Sequence, residues 1–252
     1  MIESNASAPT GLTGTPRRVQ TNLAFNASTY LGLALTIAFI VAFGFGQTLN
    51  SAVVHPKFTP PGILYVHIGM FSAWVLLLAT QAALIRFNRR KWHRQLGFAG
   101  IALGVSMPVV GVATAILMAH FHAATGQPRG VSSLAVPFSD MLAFGTAFSL
   151  AIYWRRNPAF HARLMLLASC TLTGAAFGRF PEWLVPNHFF YVAVEMLVIL
   201  AMSLDWLSTR RIHPVFGYGL PSLAAIHATA MWLFIAAPPA WVTLAQAILG
   251  TT

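Results

Sequence analysis

The chain has 252 residues, 57% of them hydrophobic and only 8% charged. Soluble domains carry roughly 25% charged residues, so the composition excludes water as the main solvent. The net charge of +10 would suggest nucleic acid as a partner of a soluble protein, but twelve of the fifteen Lys and Arg fall in the N-terminal tail or in three basic connections. Charge that alternates between connections in this way orients membrane helices rather than gripping phosphate, so no nucleic-acid partner is expected.

Residues 1–22 are rich in Ser, Thr, Ala and Pro, with Arg17-Arg18 just ahead of the first apolar run. They read as a disordered cytoplasmic tail, because a secretory signal would carry its charge at the extreme N-terminus, with a short apolar region and a cleavage site. Seven apolar segments reach the ~20 residues needed to cross a bilayer core. They lie near 23–46, 63–86, 96–120, 134–154, 163–181, 188–207 and 217–237. The connections after the second, fourth and sixth carry Arg89-Arg90…His93, Arg155-Arg156…His161 and Arg210-Arg211…His213. These connections and the tail fall on one side. Residues 23–252 therefore form one all-α domain, a bundle of seven transmembrane helices with a cytoplasmic N-terminus and a periplasmic C-terminus. The other connections (47–62, 121–133 and 182–187) carry turn residues. Pro238-Pro239 ends or kinks the last span, and 240–250 is either its continuation or an interfacial segment.

Cys170 is the only cysteine, which rules out an intramolecular disulfide and any Cys-based zinc or iron–sulfur site; it reads as a small buried hydrophobe. Gly97, Gly100, Gly104 and Gly111 run down the third segment near helical spacing, the face expected where membrane helices approach closely. The basic runs ahead of His93 and His161 both lead into His-x-x-Leu and a new helix. This is either an internal duplication, as in transporters, or a pair of similar interfacial loops.

Charges inside a span are costly and are usually functional or paired. Asp140 precedes Arg155 by fifteen residues, Glu195 precedes Arg210 by fifteen, and Arg179 follows Arg163 by sixteen. At ~1.5 Å of rise per residue all three lie about 22–24 Å above the inner rim. His67 lies at about 28 Å by the same rise, and His227 is near the middle of the last span. His120, His122, His55, Glu182 and His188 lie at or beyond the outer ends. The functional reading is an outer-leaflet polar pocket, with Asp140, Arg179 and Glu195 as catalytic groups. His67, Asp140 and Glu195 have the donor types that zinc, iron or manganese accept. The alternative is that Arg179 neutralises one of the acids and the histidines bond backbone carbonyls.

On the inner side, His93 and His161 each open a helix at the same depth. Histidines so placed can clamp a b-type haem axially, with Trp92 and nearby arginines toward its edge; the plainer reading is interfacial histidines in basic loops. Asp205 and His213 have the same two readings. A retinal protein is excluded, since the only lysines, Lys57 and Lys91, lie in connections. No Gly-x-x-x-x-Gly-Lys phosphate loop is present, and no Ser/His/Asp nucleophile can be assembled.

The run Tyr65-Val-His67-Ile-Gly69…Trp74…Gln81…Trp92-His93-Arg94-Gln-Leu96-Gly97 resembles an uncharacterised bacterial family of polytopic membrane proteins. So do Pro137-Phe-Ser-Asp140, Pro158-Ala-Phe-His161-Ala-Arg163-Leu164-Met165 and Arg211-Ile-His213-Pro214. The resemblance implies a multi-pass bundle in the bacterial inner membrane and no particular activity. A looser likeness is to the ascorbate- and quinone-linked transmembrane cytochromes b, carried by His67-Ile-Gly69 with Gln81 and by His93-Arg-Gln-Leu-Gly97. It implies one inner haem, since Asp140 stands where an outer partner for His67 would be needed. Three readings of function follow: a redox-linked protein using haem, quinone or a metal; a non-enzymatic subunit or assembly factor of a larger membrane complex; and a carrier or intramembrane enzyme for a small polar or lipidic ligand.

Overall fold

The computed structural model describes residues 26–127 and 130–251; the expected N-terminal tail, 1–22, and Arg129 lie outside them. Among the described residues the chain forms helices and no strand. The helices are α1 (Ala27–Gly46), α2 (Gly62–Arg86), α3 (Arg90–Ala124), α4 (Ala135–Tyr153), α5 (Pro158–Thr171), α6 (Gly174–Phe177), α7 (Phe190–Thr209), α8 (Pro214–Ala236) and α9 (Pro239–Leu249). A π turn at 50–54 follows α1 and a 3-10 turn at 131–134 leads into α4. Seven spans are long and apolar enough to cross a membrane, α5 and α6 together making one of them. This is the architecture of a multi-pass membrane protein.

The basic connections are short: 87–89, 154–157 and 210–213. Each turn is locally encoded. Asn88 takes up a left-handed conformation between α2 and α3 (φ 59), Asn157 caps α5 by accepting the Ala159 N–H at 3.2 Å, and Arg210 ends α7 in the same left-handed region. We call the end that carries these connections the basic end and the opposite one the far end.

The helices form a ring in which α2 lies between α1 and α3, α4 joins α3 to α8, and α7 packs on α8 and α6, which returns to α1. Inside it stands α5, touching α1, α4, α7 and α8. Its span is 67% buried, against at most 44% for any other, and has the lowest mean hydropathy of the seven. The two properties belong together. A span rich in Ser, Thr and Arg is poorly solvated by lipid and is stable only where other helices satisfy it.

Close approach follows the small residues. Side chains added at Gly100, Gly104 and Gly111 would run into Leu77, Phe148 and Met141, so the glycine face of α3 meets α2 and α4 as its spacing predicts. Gly44 of α1 lies against the backbone of Ala176 in α6.

Two expectations are corrected. The fifth span is broken rather than continuous: Thr171 and Thr173 turn their hydroxyls back on the carbonyls of Ala168 and Cys170 (2.7 and 2.6 Å), the helix stops at Leu172, and α6 is one turn long. Hydroxyls that bond to the preceding turn loosen a helix at this kind of position. In the third span the helix starts at Arg90, six residues before the apolar run, because Arg, Lys and Gln propagate a helix past the rim as readily as apolar residues do. The 240–250 segment resolves as a separate helix. Ala237 adopts φ 44, the chain turns at Pro238-Pro239, and α9 lies across the far end with Ala245 and Leu249 on Leu134. Trp241 Nε1 donates to the Ser132 carbonyl at 3.2 Å.

Candidate functional site

The far end holds a polar cluster drawn from three helices. Tyr191 and Glu195 are four residues apart on α7 and so share one face, which meets α8 at His227. The Tyr191 ring stacks on the His227 imidazole, centroids 3.8 Å apart and planes 9° from parallel. Glu195 Oε1 lies 3.4 Å from His227 Nδ1. On the other side Tyr191 donates its hydroxyl to Asp140 Oδ1 at 2.8 Å, with the Val136 carbonyl at 3.3 Å. Asp140 and His227 are buried and Glu195 is half-buried. Neither ring nitrogen of His227 has an aligned hydrogen bond, although the ring is only 1% exposed; the Glu195 contact is close but poorly directed.

Of the residues expected at the outer pocket, Asp140 and Glu195 are thus brought together, though through Tyr191 and His227. Arg179 belongs to another part of the far end. Its guanidinium lies 4.3 Å over the Phe45 ring, donates to the Ala175 carbonyl, and acts electrostatically on His67. His67 stacks on Phe71, centroids 4.0 Å apart. Among the described residues no group of three or more His, Cys, Asp or Glu is placed to hold a metal ion. His67, Asp140 and Glu195 are therefore not one ligand set, because α2 turns His67 along its own face toward Phe71 while α4 turns Asp140 toward α7.

At the basic end, His93 and His161 lie close enough to act on each other electrostatically. His161 Nδ1 lies 2.9 Å from the Ala151 carbonyl of α4. A carbonyl only accepts, so Nδ1 is the donor in this contact, and Nε2 is the ring nitrogen left to meet another group. His93 Nδ1 is buried without a hydrogen bond, and so is Gln81 Oε1, whose amide nitrogen donates to the His93 carbonyl at 3.2 Å. Orphaned buried polar atoms are uncommon, and two lie here, one on His93 itself and one on Gln81 beside it.

Deeper under the same end lies an ion pair not anticipated from the sequence. Arg163 of α5 donates Nη2 and Nε to Asp205 of α7 at 2.6 and 2.9 Å, both side chains 1% exposed. From the sequence, Arg163 groups with the cations near the basic connections and Asp205 with the end of the sixth span. The signal that was present is position: each lies inside an apolar run, Arg163 two residues past His161 and Asp205 five before Arg210. Tyr191 carried a similar one, four residues before Glu195 on the same face. Half-buried His213, just outside α8, accepts the Val215 N–H on Nδ1 at 3.3 Å. Burial, then the Arg163 charge, hold its pKa below the usual histidine value, against the opposing pull of Asp205.

The architecture and the two clusters define a multi-pass helical membrane protein with polar sites at both ends. No protein-family model matches the sequence, and comparison with curated proteins and with solved structures finds none similar to it. The resemblances noted above therefore rest on the His-bearing motifs alone.

Proposed function

We propose that this is a redox-linked integral membrane protein whose far-end cluster takes up and releases protons. The observation that carries the proposal is the Asp140–Tyr191–His227–Glu195 arrangement. Two carboxyl groups and an imidazole in one largely buried space cannot all hold independent charges, since each unpaired charge at low dielectric is costly. Proton exchange at one member changes what the others tolerate, and the group titrates as a unit. Half-buried Glu195 is the entry. The Tyr191 face offers a protonated His227 a π cloud, while its hydroxyl fixes the Asp140 carboxyl.

On this reading His93 and His161 are the residues that would hold a b-type haem, which would supply one-electron chemistry. Nδ1 of His161 fixes the ring against α4, and Gln81 holds the first turn of α3. On this reading the basic end faces the cytoplasm of a bacterial inner membrane, and a quinone in the bilayer is the natural exchange partner.

A reduced-minus-oxidised visible spectrum of the detergent-purified protein tests the redox half, and a sharp b-type band is expected. The pH dependence of the midpoint potential tests the proton half: Asp140→Asn or Glu195→Gln should flatten it. A colourless protein overturns the first half, and a potential indifferent to pH overturns the second. A carrier reading is favoured by one observation, the break between α5 and α6, because interrupted helices often mark transported-ligand sites. A non-enzymatic subunit remains the reading if neither cluster responds.

A further inference from the structure

Between α4, α5 and α8 runs an apolar groove of about 280 Å³. Small residues, Ala143 and Ala147 on α4, line it beside Leu223, and Gly219 on α8 lets Leu167 pack close against that helix. Its lining on α8 extends from Pro214 to Ile226, about 18 Å at ~1.5 Å per residue. That is close to the ~15 Å depth of one leaflet of a ~30 Å hydrocarbon core. The shape suits a single extended hydrocarbon chain better than a compact ligand.

One end of the groove lies at the basic end. Trp154 lines it there from the α4–α5 connection, Phe160 from the first turn of α5, and Pro214 and Tyr218 from the start of α8. Arg155 and Arg156 follow Trp154 directly, and Arg210 and Arg211 stand just before Pro214; all four are exposed. Arg155 donates to the Ile152 carbonyl and Arg210 lies over Trp206, but none of the four has a carboxylate partner among the described residues. The acid at this end, Asp205, is already taken by Arg163. Four cations without a carboxylate partner therefore flank one end of a chain-shaped groove.

From this we infer a binding site for an anionic phospholipid, one acyl chain lying in the groove and the phosphate meeting the arginines of the 154–157 and 210–213 connections. Guanidinium recognises phosphate bidentately, and juxtamembrane cations attract anionic lipid in any case. The groove turns that general attraction into a particular site. It would hold a lipid against α5, the helix that carries both His161 and Arg163.

Native mass spectrometry of the detergent-solubilised protein, titrated with phosphatidylglycerol or phosphatidylcholine, tests the site. We expect phosphatidylglycerol to be retained at least ten-fold more tightly. The Arg155→Gln/Arg156→Gln variant and Ser222→Phe, which fills the groove from its exposed wall, should each lower that retention about ten-fold. Arg89→Gln/Arg90→Gln, at a basic connection away from the groove, should leave it nearly unchanged. Equal retention of the two lipids, or an equal loss on removing either arginine pair, overturns the inference and leaves general membrane electrostatics. Should Ser222→Phe fail to fold, brominated-chain phosphatidylglycerol replaces it: its quenching of tryptophan fluorescence must fall in Trp154→Phe, and unchanged quenching also overturns the site.

Discussion

Arg163 and Asp205 join the central helix to α7 through two parallel hydrogen bonds of 2.9 and 2.6 Å, with both side chains 1% exposed. The forked geometry matches donor to acceptor, and Arg163 also donates to the Ala159 carbonyl at 2.9 Å. Removing one partner leaves a buried charge without compensation, which costs about 3–5 kcal/mol in proteins. Arg163→Gln and Asp205→Asn should each lower the thermal unfolding midpoint in detergent sharply. The double variant Arg163→Met/Asp205→Leu should regain most of the loss, and a double variant no better than the singles would show that the pair contributes more than charge cancellation.

His227 is the opposite case. It is buried, stacked on Tyr191 and without an aligned hydrogen bond at either nitrogen. Replacing an unsatisfied buried group by an apolar one of similar shape is neutral or stabilising. His227→Phe is therefore expected to unfold at the same temperature as the parent or higher, while losing the pH dependence assigned above to the far-end cluster. A protein destabilised by this change would mean that the ring holds the fold through Glu195.

At Gly44 the backbones of α1 and α6 approach closely. A methyl group there would meet the Ala176 carbonyl of α6, which cannot move aside as a flexible side chain can. Gly44→Ala should cost about 1–3 kcal/mol, the usual cost of overpacking. Gly32, on the same helix with open space around it, serves as the control: Gly32→Ala should be neutral or gain up to about 1 kcal/mol from helix propensity. Melting curves of the two variants compare them directly.

His213 gives a pH dependence whose sign is fixed by its cap. Its Nδ1 accepts the Val215 N–H, so it must be unprotonated there, and burial with the Arg163 charge lowers its pKa from the ordinary 6.5. The unfolded chain therefore binds the proton more readily than the folded one. This contribution to stability is fully present above pH ~6.5 and is lost as pH falls through the lowered folded value. Loss of the cap amounts to about 1 kcal/mol. Asparagine caps without titrating, so His213→Asn should flatten the stability profile below pH 6.5, measured by unfolding midpoint against pH. A slope that persists in the variant would place the titration elsewhere.

The spans were legible because lipid imposes a single demand on them, a long run of apolar residues, and because the arginine pairs mark every second end. The glycine face of α3 was legible for a related reason: a missing side chain shows in spacing. The broken fifth span was not, since Thr171 and Thr173 interrupt the helix through hydroxyl bonds that leave its hydropathy almost unchanged. At the candidate sites, sequence separation was the obstacle. Asp140 and Tyr191 are 51 residues apart and Arg163 and Asp205 are 42 apart, and depth counting places a charge along the membrane normal without giving its azimuth around the helix. That is why Arg179 was grouped with acids at its own depth while it lies over Phe45.

The span that lipid tolerates least is the one at the centre, and this sets an order on how the chain can mature. Synthesis delivers Arg163 42 residues before Asp205, an interval of about 2–8 s at ordinary elongation rates. During that time the span holding Arg163 has neither its counter-charge nor two of the four helices that touch it, α7 and α8. The pair that neutralises Arg163 therefore cannot form until α7 has been made. A ribosome stalled before Asp205 would leave a half-made bundle with an unpaired cation, a form suited to recognition by quality-control proteases.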